Sequence, residues 1–292
     1  MPERRRLQLV ENGENRGFAT ETMLVPAHGR APALEWIEAR PHGAAAGAPI
    51  LFLHGAFGGA WMWNEIYLPL FARRGRHAVA VSLRGHGRSG GADQLQRWSL
   101  ADFREDVERA LAEFPVPPIV VGHSLGGLLA QMLLGRATMR GLVLLASLPP
   151  DGLFFESPRL ALTDPHIWTE AVLGSLTNSR LPIQAAGYQV LFSEGLPPER
   201  VERYARRMRP ESSRALLEAH WPGPIVPALF AGVRTLVFGG DNDRLVWRAS
   251  SLRTAFYHGG EYRAAPGMGH FMQLDIGAEI VAGSVLDWIE GL

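Results

Sequence analysis

Short, largely apolar runs recur along the chain at 49–54, 77–83, 118–122, 141–146 and 233–239. A run that is apolar at every position fits a strand buried on both faces, as in a parallel sheet covered by helices. Stretches of helical period lie among them. Residues 100–114 carry Phe103, Val107, Ala110, Leu111 and Phe114 on one stripe, and 125–136 and 276–289 are further helix candidates. This alternation predicts an α/β fold with a mostly parallel sheet between two helical layers. Ahead of it, 20–26 and 33–39 read as two strands joined by the turn His28-Gly29-Arg30, so a hairpin opens the fold.

The rhythm breaks between residues 149 and 232, where prolines crowd together. Helical pieces at 199–208 and 212–220 lie among them. The pattern predicts an inserted helical cap (149–232) that divides the α/β core into residues 1–148 and 233–292. Its apolar residues Leu153, Phe154, Phe155, Ile167, Trp168, Leu191 and Phe192 read as the cap's own core.

Composition narrows the function classes. Twenty-nine basic residues balance twenty-nine acidic ones, so no basic surface large enough to track a phosphate backbone is expected, and nucleic acid is excluded as a partner. The short run Arg4-Arg5-Arg6 reads as a solvated, frayed end. The chain has no Cys and no Lys, which removes disulfides, thiolate chemistry and Schiff-base chemistry. Residues 1–18 hold no apolar leader segment, and no apolar stretch is long enough to span a membrane, so a cytoplasmic protein is expected. No His pair has helical metal-ligand spacing with a third ligand, so neither metal nor cofactor is expected.

The chemistry concentrates at Gly122-His123-Ser124-Leu125-Gly126-Gly127. This G-x-S-x-G follows an apolar run and precedes an apolar helix, the setting in which the motif forms a nucleophile elbow. In that turn Ser124 is lifted out of the sheet, and small flanking residues allow the close backbone approach. The Leu125 amide would then face a developing oxyanion.

Together with the upstream HGAFGG (54–59) and RGHGRS (84–89), this segment resembles the α/β-hydrolase superfamily from about residue 50 onward. The resemblance implies the chain order serine, acid, histidine. Asp243 in GGDNDRLV (239–246) is the implied acid, with Asp241 as the competing carboxylate. His270 in GMGHF (267–271) is the implied base. Ala56 is implied as the second oxyanion donor, through its backbone amide, and Phe57 as a pocket residue. His123 abuts the nucleophile, points away from its hydroxyl, and is also assigned to substrate binding. His54 and His86 are implied structural hydrogen-bonders. Trp61 and Trp63 read as packing residues of the helix that follows. Relatives often carry Asp where this chain has Ser82, which predicts altered hydrogen bonding in that loop.

A serine nucleophile argues against the dehalogenases and epoxide hydrolases of this fold, which use Asp. The absence of Lys argues against hydroxynitrile lyase chemistry. The expected activity is cleavage of a small-molecule carboxylic ester through an acyl-enzyme. Lipase, thioesterase, lactonase and carbon–carbon hydrolase activities use the same triad, and a ligand receptor on the same fold is the non-enzymatic alternative.

Overall fold

In a computed structural model, residues 5–10, 17–166, 168–169 and 191–292 are described. Nine strands form one sheet among them: β1 (Arg5–Val10), β2 (Phe18–Val25), β3 (Leu34–Pro41), β4 (Ile50–Leu53), β5 (Ala78–Val81), β6 (Ile119–His123), β7 (Gly141–Leu145), β8 (Thr235–Gly240) and β9 (Glu261–Ala265). The spatial order is β1-β2-β3-β5-β4-β6-β7-β8-β9. β1, β2, β3 and β5 pair antiparallel, and from β5 to β9 every pairing is parallel.

The apolar runs explain the two-sided burial. Alternate side chains of a strand face opposite sides. Leu51, Leu53, Val79, Val81 and Val120 face one core with Phe103, Val107 and Leu128. Ile50, Phe52, Ala78, Ala80 and Val121 face the other with Trp63, Tyr67, Phe71 and Val285. Helix Leu100–Ala112 begins where a capping box forms: Ser99 accepts from the Asp102 amide, and the Asp102 carboxylate accepts from the Ser99 amide.

The opening hairpin forms as expected, with β2 and β3 in register from Phe18↔Pro41 to Val25↔Leu34. A strand precedes it. Residues expected as a frayed end, Arg5 and Arg6 among them, form β1 and pair with β2, while Arg4 lies outside the described residues. The sequence Arg6-Leu7-Gln8-Leu9 alternates polar and apolar, which suits an edge strand, and arginine suits an edge that must resist pairing with another chain.

Between β7 and β8 the chain leaves the sheet. The described part of this insertion contains helices Glu156–Thr163, Pro198–Ala205 and Ser213–Glu218. Leu191, Phe192, Leu196, Val201, Tyr204 and Met208 pack with Trp61, Met62, Phe271 and Leu274, so the insertion is seated on the core. Leu153 is packed as expected, but Phe154 and Phe155 are exposed at 43% and 58%. Phe154 meets Phe155 and Trp221 edge-on at the surface instead of joining an interior. Ile167 lies outside the described residues.

Candidate active site

β6 ends at His123, and Ser124 occupies the turn into helix Leu125–Gln131 with φ 49° and ψ −119°. That conformation is rare for a side chain other than glycine and holds strain of order 1–3 kcal/mol. The flanking glycines show why the motif is needed. A Cβ on Gly122 would lie 2.6 Å from the Gly127 Cα, and one on Gly126 would lie 2.4 Å from the His54 carbonyl oxygen. Both collisions are with backbone, which cannot swing aside.

Three residues distant in sequence meet at this turn. The Ser124 hydroxyl is 3.0 Å from His270 Nε2. His270 Nδ1 donates to Asp243 Oδ2 at 2.9 Å. The other carboxylate oxygen, Oδ1, accepts from the Leu245 and Val246 amides, each at 2.9 Å. Ser124 is 7% exposed, and His270 and Asp243 are nearly enclosed. Asp241, the competing carboxylate, faces outward and lies 3.5 Å from Arg248. The chain Asp243–His270–Ser124 can therefore take a proton from the serine oxygen and hold the resulting positive charge beside a carboxylate.

Among the described residues, neither the Leu125 nor the Ala56 N–H donates to a protein acceptor. Phe57, next to Ala56, has φ 64° and is partly exposed. His54 Nδ1 donates to the Gly55 carbonyl at 2.8 Å, and its Nε2 accepts from the Leu83 amide at 3.0 Å. The second contact requires the neutral ring. Burial, followed by the neighbouring His86 charge, pushes the His54 pKa down to about 3.

His123 has a different place from the expected substrate contact. Its side chain is fully buried, so no atom of it is open to a ligand. Its Nε2 donates to the His270 backbone carbonyl at 2.9 Å, and the two rings lie 4.8 Å apart. Burial, with His270 beside it, keeps this ring's pKa well below the ordinary histidine value. Trp63 is buried in the sheet core and Trp61 against Tyr204 and Arg207, both as packing residues.

Three buried carboxylates around the site escaped sequence reasoning. Glu35, from β3, accepts from the Ser82 hydroxyl at 2.6 Å and the Arg88 amide at 3.2 Å. Ser82 is thus set against a carboxylate from the neighbouring strand. Asp275 accepts from the Gly269 amide, from the Ser193 amide and from the Ser193 hydroxyl, tying the segment before His270 to the insertion. Glu211, also from the insertion, accepts from the Phe57 amide at 3.2 Å and lies 3.2 Å from His86 Nε2. The available signal was an acidic residue in an otherwise apolar stretch, at Asp275 and at Glu35; Glu211 depends on contacts across the fold.

Residues 50–282 match the model of the Alpha/beta hydrolase family, and the chain belongs to that family. Of curated proteins, the mouse sn-1-specific diacylglycerol lipase ABHD11 is 34% identical over 85 residues, which is 29% of this chain and 27% of that protein. The match thus spans about a quarter of the relative's length. Of solved structures, the enol-lactonase from Burkholderia xenovorans LB400 superposes with a TM-score of 0.72 at 17% identity, covering 91% of this chain and 99% of that one. The carboxylesterase CesB from Bacillus subtilis gives 0.69 at 18% identity, covering 94% and 92%. At such identities the likeness is one of fold. No helix among the described residues is long and apolar enough to cross a membrane.

Proposed function

We propose that this protein is a serine hydrolase that cleaves small-molecule carboxylic esters through an acyl-enzyme on Ser124. The observation that carries the reading is the unbroken hydrogen-bond chain from Asp243 through His270 to Ser124, at 2.9 and 3.0 Å. In this reading His270 Nε2 takes the proton as Ser124 Oγ bonds to the ester carbonyl carbon. The carbonyl oxygen becomes an oxyanion facing the Ala56 and Leu125 amides. Collapse of the tetrahedral species breaks the bond to the leaving alcohol, which receives the proton from imidazolium. Water then attacks the acyl carbon by the same route and frees the acid. Asp243 holds Nδ1 protonated, so that Nε2 presents its lone pair to the serine. The segment 149–232 acts as a cap over the site, and the surrounding parts of the chain form the hydrolase core.

The test is a chain-length series of p-nitrophenyl esters on the wild type and on Ser124→Ala. Repeated turnover in the wild type, with loss of at least about 1,000-fold in kcat for a folded Ser124→Ala, is expected. Comparable activity in the variant overturns the mechanism. Preference for long chains favours a lipase over an esterase, and at most a single turnover favours a ligand receptor.

A further inference from the structure

Three successive peptide units carry the Ala56 amide and its neighbours, and each is held separately. The Gly55–Ala56 unit, whose N–H is the donor assigned above to the oxyanion, is held from its carbonyl side by His54 Nδ1 at 2.8 Å and by the Gly58 amide at 3.3 Å. The Ala56–Phe57 unit is held by Glu211, which accepts the Phe57 N–H. The Phe57–Gly58 unit is held by Arg209, whose amide donates to the Phe57 carbonyl at 3.0 Å. Two of these three units are held from the insertion, more than 150 residues away in sequence.

Glu211 is built to stay in place. Its side chain is fully buried. Its second oxygen accepts from the Ser212 amide at 2.7 Å, and its backbone carbonyl accepts from Gln96 at 2.9 Å. His86 supplies the counter-charge at 3.2 Å and donates its own Nδ1 to the Arg84 carbonyl. Burial alone would favour the neutral form of both groups. Their mutual attraction outweighs it, so Glu211 is held below and His86 above the ordinary value. The restraint acts on a loop that resists it, because Phe57 stands in the left-handed region without being glycine. Freed of Glu211, the Ala56–Phe57 unit can rotate toward a less strained conformation and, through the Cα it shares with the Gly55–Ala56 unit, pull the Ala56 N–H off its aim against the long 3.3 Å Gly58 contact.

We infer that Glu211 is a positioning residue: through the Phe57 amide it fixes the direction of the Ala56 N–H, so that the insertion completes a site whose reacting groups all lie on the core. The inference rests on the hydrolase reading above. It predicts an effect on the transition state rather than on substrate affinity, because the donor is used where negative charge develops.

Two substitutions break the Phe57 contact in different ways. Glu211→Asp keeps the charge opposite His86 but withdraws the oxygen from the Phe57 amide by one methylene. Glu211→Gln keeps the reach and removes the charge, but has one acceptor oxygen for the Phe57 and Ser212 amides that Glu211 serves with two. With a p-nitrophenyl ester, Glu211→Asp is expected to lower kcat by about 10- to 100-fold, less than complete loss of an oxyanion donor, with KM within about twofold. Its affinity for a trifluoromethyl ketone should fall by the same factor, while its affinity for the product carboxylate holds. Glu211→Gln, with its oxygen on the Ser212 amide and its NH2 group toward His86, also leaves the Phe57 amide without an acceptor and is expected to lower kcat by a similar factor. Thermal unfolding of both variants confirms that they are folded. Wild-type kcat in Glu211→Asp overturns the inference, and so does a loss in either variant that appears in KM or in product affinity instead of in kcat, which would assign the effect to general distortion of the site. A wild-type protein that neither turns over esters nor takes a fluorophosphonate on Ser124 overturns the hydrolase reading itself, and this inference with it.

Discussion

Asp243→Asn changes one atom and should cost nearly all activity, because the structure dictates how the new side chain must lie. In the wild type, Asp243 Oδ1 accepts two backbone amides, those of Leu245 and Val246. Asparagine has one acceptor oxygen. If its NH2 group faced these amides, two enclosed donors would lose their partner, at roughly 1–3 kcal/mol each, or about 2–6 kcal/mol together. The oxygen therefore stays on the amides and the NH2 group faces His270. A donor now points at Nδ1, which must become the acceptor, so the ring carries its proton on Nε2. In that tautomer Nε2 has no lone pair for the Ser124 hydroxyl. The general consequence of a wrong triad tautomer is a loss of about 10⁴ in kcat, or roughly 5.5 kcal/mol of transition-state stabilisation. Stability should hardly change, since both backbone bonds survive. Asp241→Asn, at an exposed carboxylate facing Arg248, should stay within about twofold. The assay is kcat on a p-nitrophenyl ester at pH 7–8, with thermal unfolding alongside. Asp243→Asn within tenfold of wild type, or Asp241→Asn as severe as Asp243→Asn, refutes the reasoning.

Two further outcomes follow from buried groups away from the reacting atoms. His258 accepts the Ala228 amide on Nδ1 and donates from Nε2 to Gln131, so it is folded as the neutral ring, and burial lowers its pKa to about 4. The unfolded chain therefore binds its proton first as pH falls. Stability is complete above about pH 6.5 and erodes toward pH 4, by up to about 3 kcal/mol from this residue. Urea unfolding at pH 7.5, 5.5 and 4.5 should show a shallower acid loss in His258→Gln than in wild type, and equal slopes would remove the assignment. Glu35→Ala strands the Ser82 hydroxyl and the Arg88 amide at a buried site and should lower stability by about 2 kcal/mol, or roughly 5 °C in Tm, while Glu35→Gln loses less; an unchanged Tm in Glu35→Ala would show that water or a rotated Ser82 replaces the carboxylate.

What could be read from the sequence was what local sterics and burial impose on neighbouring positions. The strands between the helical layers are apolar at every position because both faces are covered, and the Ser124 turn demands glycine because its neighbours are backbone atoms. The pairing partners of His270 could be named because the order of family motifs narrows the choice to two carboxylates. β9 was missed because its residues, Glu261 to Ala265, are mostly exposed or half-buried and carry no apolar run. Helix Arg248–His258 was missed for a similar reason, having serine and threonine on its buried side where a stripe of aliphatic residues would be looked for. What Glu35 and Glu211 do was invisible for another reason. Each acts through one or two contacts with a segment 47 or more residues away, and a single glutamate in the sequence does not name such a partner.

The insertion meets the core through backbone as well as side chains: Arg209 and Glu211 on the Phe57 loop, and Leu191 and Ser193 on the segment around His270. For protein engineering this makes the 149–232 segment a poor candidate for wholesale exchange. A graft chosen only for the shape of its pocket would arrive without the carboxylate at 211 or the carbonyl at 191, and the recipient would bind new substrates with a slackened catalytic loop on either side. Diversity is better sought at surface positions of the insertion, such as Phe154, Phe155 and Trp221, leaving the docking residues as they stand.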